Sequence, residues 1–153
     1  MLKKAMMLSM AAMVMTGAVH SAQAAEADDA VTYRKEVMKI IGGNMAGLSM
    51  ALKGKIDDPK ALQTHAEMLA RTSSMALGAF KENTAGKGRE RTTAKADIWS
   101  KWPEFEKDMK AFDQQAQKLA SAAASGGAKA AGAEMAALGK SCKTCHDDFR
   151  EKH

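Results

Sequence analysis

The sequence predicts an all-α protein, an antiparallel up-down four-helix bundle. Three observations carry that reading. Apolar residues recur at steps of three and four in four separate stretches, with no strand-like alternation anywhere. Aromatic residues make up only 5% of the chain, and Ala, Lys, Met and Glu dominate over β-branched types, a composition that favours helix. The 153 residues contain only two prolines, and Gly54 and Gly126-Gly127 fall between apolar stripes, where a helix ends.

The first helix is predicted to open near Asp28 or Asp29, which suit an N-cap, and to run toward Lys53. Its stripe is Met38, Ile41, Met45, Leu48 and Leu52, and Gly54 follows as a stop. The second opens at Asp57-Asp58-Pro59, a cap with proline in the first turn, and carries Leu62, Ala66, Leu69, Ser73, Ala76 and Phe80. From Glu82 to about Ala96 the chain is glycine- and arginine-bearing without apolar period, and reads as the longest loop. Trp99 and Trp102 lead into the third stripe, Phe105, Met109, Phe112, Ala116 and Leu119. Ser125-Gly126-Gly127 breaks the chain before the fourth: Ala131, Met135, Leu138, Cys142, Cys145 and Phe149.

Residues 1–24 read instead as a secretory signal. Lys3 and Lys4 form a basic start, Ala5 to Val19 an apolar run, and Ala22-Gln23-Ala24 a small-x-small cleavage pattern, the three parts such a signal requires. The apolar run is short for a membrane span of roughly 20 residues, so the mature chain, 25–153, is expected to have no membrane span. Removing 24 of 153 residues leaves 129 and discards six of the 13 methionines. Loss of Lys3 and Lys4 lowers the formal charge from +5 to +3, which removes most of the case for nucleic acid. Both cysteines remain, in an exported and oxidising compartment.

One motif carries chemistry: Cys142-Lys143-Thr144-Cys145-His146. On a helix, residues three and four apart share a face, so both thiols and the imidazole project to one side. That suits covalent attachment of a single haem c, with two thiols on the two vinyl groups and His146 on the iron. Cys-x-x-Cys-His is the signature of such attachment. A zinc site needs four ligands, and beyond the motif the mature chain offers only His65 and His153. A thioredoxin-like pair needs a βαβ setting, and a disulfide of so short a span would leave His146 without a role.

The opposite side of the iron follows from the topology. In an up-down bundle the start of the first helix lies beside the end of the fourth. Met38 and His146 then come level within roughly 5 Å at 1.5 Å per residue. Met45 and Met50 fall further away, while Met75, Trp99 and Trp102 also lie at the haem end and His65 at the far end. A methionine–histidine pair raises the iron potential and suits electron transfer. Core packing over an open iron site fits Met38 equally well by residue type. Arg34, one turn before Met38, and Arg150, one turn after His146, can reach the haem carboxylates with a planar donor fork. Lys140, Lys143, Lys152 and Arg150 give that edge a basic character that would steer an acidic redox partner.

On these residues the chain resembles the class II cytochromes c, the cytochrome c′ family. The resemblance rests on Cys142-Lys143-Thr144-Cys145-His146-Asp147-Asp148-Phe149-Arg150 at the C-terminal end, on Tyr33-Arg34-Lys35-Glu36-Val37-Met38, and on Ile98-Trp99-Ser100 with Phe105. It implies a periplasmic haem protein with Cys142 and Cys145 as thioether attachments, His146 as proximal ligand and Arg34 close to the propionates. The family has a five-coordinate branch that binds NO or CO and a low-spin branch in which a first-helix methionine is the sixth ligand. The Ile40-Ile41-Gly42-Gly43-Asn44-Met45 stretch resembles the second, and its two glycines would permit a close approach to the iron. The sequence reading is therefore an electron carrier ligated by His146 and Met38. Its alternative is a gas-binding module in which Met38 only packs. An enzyme such as a peroxidase is disfavoured, because no acid/base histidine falls on the distal side. Monomer and homodimer fit the stripes equally.

Overall fold

A computed structural model describes residues 2–152, with side chains from Ser21 to Lys152. Four long helical segments make the bundle. They are α1 (Leu2–Leu52), α2 (Ala61–Ala76) with a 3-10 turn at Leu77–Phe80, and the two arms of α4 (Trp102–Phe149). The short α3 (Asp97–Ser100) leads into the first arm. Gly127, at φ 61° and ψ −153°, leaves helical geometry and divides α4. The arms fold back on each other there, since the Gln115 side-chain amide donates to the Glu134 carbonyl at 3.3 Å. Among the described residues no helix is long and apolar enough to cross a membrane. The proposed signal, 1–24, has its side chains up to His20 outside those described.

The stripes form the core. Ile41, Leu48, Ala66, Leu69, Ala76, Phe80, Phe105, Met109, Phe112, Ala116, Leu119, Ala131, Leu138 and Phe149 are buried in one cluster, with Met38, Met45, Leu52, Leu62, Met135, Cys142 and Cys145 packed against it. Burial of this kind, not intrinsic propensity, holds such helices. Polar ties cross the seam between α2 and the first arm of α4. The buried Ser73 hydroxyl donates to Asp113 at 2.7 Å, and the Gln117 amide donates to the Ala70 carbonyl at 3.0 Å.

The ends of α1 and α2 differ in detail from the sequence reading. Gly54 does stop α1: at φ 64° it lets its own N–H reach Ala51 O and the Lys55 N–H reach Met50 O, the paired bonds of a Schellman terminus. Asp28 and Asp29, expected to cap α1, lie inside it. Asp28 instead accepts the backbone N–H groups of Arg89 and Glu90, at 2.6 and 2.7 Å. Helix α2 starts two residues later than Pro59 suggests. Its N-cap is Lys60, whose N–H is held by Asp58 Oδ1 at 2.8 Å.

The loop between Phe80 and α3 is long but tied down. Besides Asp28, it is held by Lys35, which pairs with Glu90, and by Arg34, which donates to Thr84. Its last residues run antiparallel to the chain end: Lys95 N donates to Phe149 O at 3.0 Å and Glu151 N to Thr93 O at 2.8 Å. These ties bring the loop, the Asp28–Lys35 stretch of α1 and the end of α4 to one end of the bundle.

Candidate functional site

The Cys-x-x-Cys-His segment lies in the last turns of the second arm of α4. Cys142 and Cys145 are half-buried free thiols resting against the core, and His146 is more exposed. Burial pushes the Cys142 thiol up. Cys145 is pushed up to about 12, by burial first and then by Asp108, Cys142 and Asp148. A thiol-exchange pair has the reverse property, a lowered pKa, so the pair is not built as a thioredoxin-like couple. Burial, then the Arg150 charge, hold the His146 imidazole below its ordinary value against the opposing pull of Asp147. It therefore favours the neutral form that can ligate a metal.

The end of this arm is locked by Lys95. Its ammonium donates to the Asp148 and Asp147 carbonyls at 2.9 and 3.2 Å, satisfying the final carbonyls of a helix that has no further turn to bond them. Arg150 is exposed, and its backbone N–H donates to the His146 carbonyl at 3.1 Å. Lys143 pairs with Asp147 on the outer face, so the basic edge read from the sequence is partly neutralised by its own helix.

Across the bundle end, α1 contributes Arg34 and Met38. Met38 is half-buried against the core. Arg34 is only 2% exposed. One Nη donates to Thr84 Oγ1 at 2.7 Å, and its guanidinium carbon lies 5.3 Å from the Phe80 ring centre and 5.1 Å from that of Trp99. Nε and the other Nη have no partner. Burial pulls its pKa down and Glu82 opposes this, yet arginine stays charged in proteins. A buried cation with two unspent donors is costly unless an anion completes it.

An aromatic chain joins the two sides. Phe80 stacks against Phe105 at 5.0 Å and Phe105 against Phe149 at 5.2 Å, and Phe149 is three residues past His146. Direct contact between α1 and α4 is sparse compared with the close α1–α2 and α2–α4 seams. The sequence-predicted Arg34, Met38, Cys142, Cys145 and His146 thus share one end of the bundle. Trp99 and Trp102 are there too, Trp102 at 5.7 Å from the Phe105 ring.

Other candidates stand apart. Met75 is 52% exposed. His65 is satisfied by Asn44 Oδ1 at 3.2 Å, and His153 lies outside the described residues. Among the described residues no three His, Cys, Asp or Glu side chains converge as a zinc site would need. Gly42 and Gly43 are exposed, with nothing within 4 Å of a built Cβ. The tight glycine contact between α1 and α2 is at Gly47, where a Cβ would lie 2.4 to 2.6 Å from the His65 ring. Thr84 and the Phe80–Trp99 sandwich were missed by the sequence reading. Thr84 sits in a polar loop without period, and nothing local marks it.

The donor set fits a covalently held haem. Two adjacent half-buried thiols, an imidazole on the same helix and an unpaired buried cation for a carboxylate are the complement that group requires. The family profile described as Cytochrome C' matches residues 29–150. The chain is 40% identical over 121 residues to a cytochrome c' of Pararhodospirillum photometricum, covering 79% of this chain and 95% of that one. It is 36% identical over 149 residues to that of Rhodospirillum rubrum, covering 97% and 99%. Among solved structures, cytochrome c prime from Shewanella frigidimarina superposes with a TM-score of 0.74 at 32% identity, over 82% of this chain and 97% of that one. A nitric oxide complex of a variant cytochrome c prime from Alcaligenes xylosoxidans gives 0.73 at 29% identity, over 83% and 97%. Matched over most of its length in sequence and in fold, the chain belongs to the cytochrome c′ family of haem proteins.

Proposed function

We propose that the chain is an exported, periplasmic protein carrying one haem c on Cys142 and Cys145. Its iron would be held by His146 on one side and be open to a diatomic gas such as NO or CO on the other. The observation that carries the haem assignment is the buried Arg34 with two unpartnered donors, at the same bundle end as the Cys-x-x-Cys-His segment. The gas-binding half is supported by the nitric oxide complexes of the Alcaligenes xylosoxidans protein. When bound, haem iron supplies a coordination position for a small neutral ligand.

The chain's own residues have distinct tasks in this reading. Cys142 and Cys145 fix the macrocycle to α4, and the neutral His146 imidazole supplies the proximal nitrogen. Lys95 holds the end of that helix so that the imidazole keeps its direction. Arg34 offers its free N–H donors to a haem carboxylate, and the exposed Arg150 approaches the same group from α4. Met38, with Val37 and Ile41 buried beside it, covers the distal side with apolar surface and excludes water. We assign the protein binding rather than turnover, since the other histidine of the mature chain described here is engaged with Asn44. Residues 1–24 are the export signal in this proposal.

The electron-carrier reading survives as the second, favoured by the half-buried Met38 side chain packed against the core one turn after Arg34. One set of spectra separates the two. An open distal side gives a ferrous form that binds CO promptly and an oxidised form without the near-infrared methionine–iron band. Presence of that band, lost in Met38→Ala together with a change from low to high spin, would establish Met38 as the sixth ligand and overturn the gas-binding proposal.

A further inference from the structure

Thr84 is the one buried residue between Lys81 and Thr92, at 2% exposure in an otherwise exposed stretch. Its hydroxyl accepts from the Arg34 guanidinium across 50 residues of sequence. The loop carrying it is registered on α1 on the far side as well, because Asp28 accepts two of its backbone N–H groups and Lys35 pairs with Glu90. The flanking rings are fixed to each other: the Trp99 indole N–H donates to the Phe80 carbonyl at 2.8 Å. The cation is therefore held on three sides by groups that carry no charge, and its remaining donors are unspent.

We propose that Thr84, Phe80 and Trp99 are positioning residues that hold the Arg34 charge dry and in place beside the haem, and that they thereby set the reduction potential of its iron. This rests on the haem reading above. Ferrous haem carries one positive charge less than ferric, so a fixed cation nearby favours the ferrous form. The box matters because a charge is felt more strongly where water cannot screen it. For a charge about 10 Å away, letting the effective dielectric rise from about 20 to about 80 weakens that preference by roughly eightfold in the ferric–ferrous equilibrium. An aromatic sandwich favours a cation over a neutral side chain, and the Thr84 hydroxyl selects one orientation of the fork.

The test is potentiometric titration of the holoprotein, followed by visible absorbance. Thr84→Val keeps the shape and removes the acceptor that holds the guanidinium inward; its release toward water should shift the equilibrium toward ferric, by roughly eightfold at most. Thr84→Ser restores the hydroxyl and should return to within about twofold of wild type. An unmoved potential in Thr84→Val, or an equal shift in Thr84→Ser, overturns the proposal. Should Thr84→Val give no folded holoprotein, Trp99→Phe decides. It loses the indole N–H that ties the two rings, and an unchanged potential there overturns the proposal as well. If the wild-type protein holds no haem, this inference and the functional reading fall together; if haem is held and the potential stays fixed, only the inference falls.

Discussion

Replacing Gly47 by alanine tests the packing of α1 on α2 with a sign opposite to intuition. In a helix interior alanine is better than glycine by about 1 kcal/mol, so the substitution would ordinarily stabilise. Here the added Cβ would stand 2.4, 2.5 and 2.6 Å from three atoms of the His65 ring. The ring must move, and its contact with Asn44 Oδ1 goes with it, stranding an amide that is only 5% exposed. An unsatisfied buried polar group costs about 1–3 kcal/mol and overpacking about 1–3 kcal/mol. After the propensity gain, Gly47→Ala should destabilise by about 3 kcal/mol, roughly 6–12 °C in Tm for a domain of this size. Gly42→Ala and Gly43→Ala, with open space around each Cβ, should each stabilise by about 0.5–1 kcal/mol. Urea unfolding of the three holoprotein variants provides the comparison. In a His65→Ala background most of the Gly47→Ala cost should vanish. A Gly47→Ala protein as stable as wild type would refute the packing argument, whatever the other two do.

Phe105 is 2% exposed and touches Phe80, Trp102 and Phe149. Phe105→Ala should cost about 3–5 kcal/mol by chemical unfolding and loosen the bundle end that carries the Cys-x-x-Cys-His segment. The Asp28 carboxyl is held below its ordinary value, first by the Glu90 N–H and then by that of Arg89. Its folded pKa being lower than its unfolded one, it stabilises above about pH 4 and loses that contribution as pH falls through the folded value. Asp28→Asn should therefore flatten the acid limb of a stability–pH profile. At neutral pH it should speed tryptic cleavage at Lys87, Arg89 or Arg91, and an unchanged profile would show that the loop is held elsewhere. Cys145→Ser should leave one thioether, visible as a shifted band in the alkaline pyridine spectrum. The Cys142→Ser/Cys145→Ser protein should release all its haem to acid acetone, and retention would place the attachment elsewhere.

Helix periodicity made the bundle legible, because an apolar step of three and four reports which face of a segment is dry without reference to any other segment. Every residue of the third stripe is buried, and Gly54 and Gly127 adopt positive φ where the glycines were expected to end helices. The shared helix of Cys142, Cys145 and His146 was readable for the same reason: their spacing is a local property of one segment. Asp28 was misjudged as a cap because an acidic residue before an apolar stripe looks the same whether its carboxylate bonds its own helix or a loop some 60 residues away. Gly47 carries no local mark, and only the docking of α2 shows that it is a glycine a neighbour requires.

The sequence alone determined the helical class, the helix ends near Gly54, Pro59 and Gly127, the Cys-x-x-Cys-His motif and the family resemblance, all of them consequences of short-range spacing. The tertiary structure decided what surrounds the site. It put Thr84, Phe80 and Trp99 around Arg34, brought Lys95 to the end of the Cys-x-x-Cys-His helix, and joined both sides through Phe105. Those contacts link residues 19 to 65 positions apart. Such contacts depend on how the loops close and which faces meet, and no residue carries a local mark of a partner so distant along the chain.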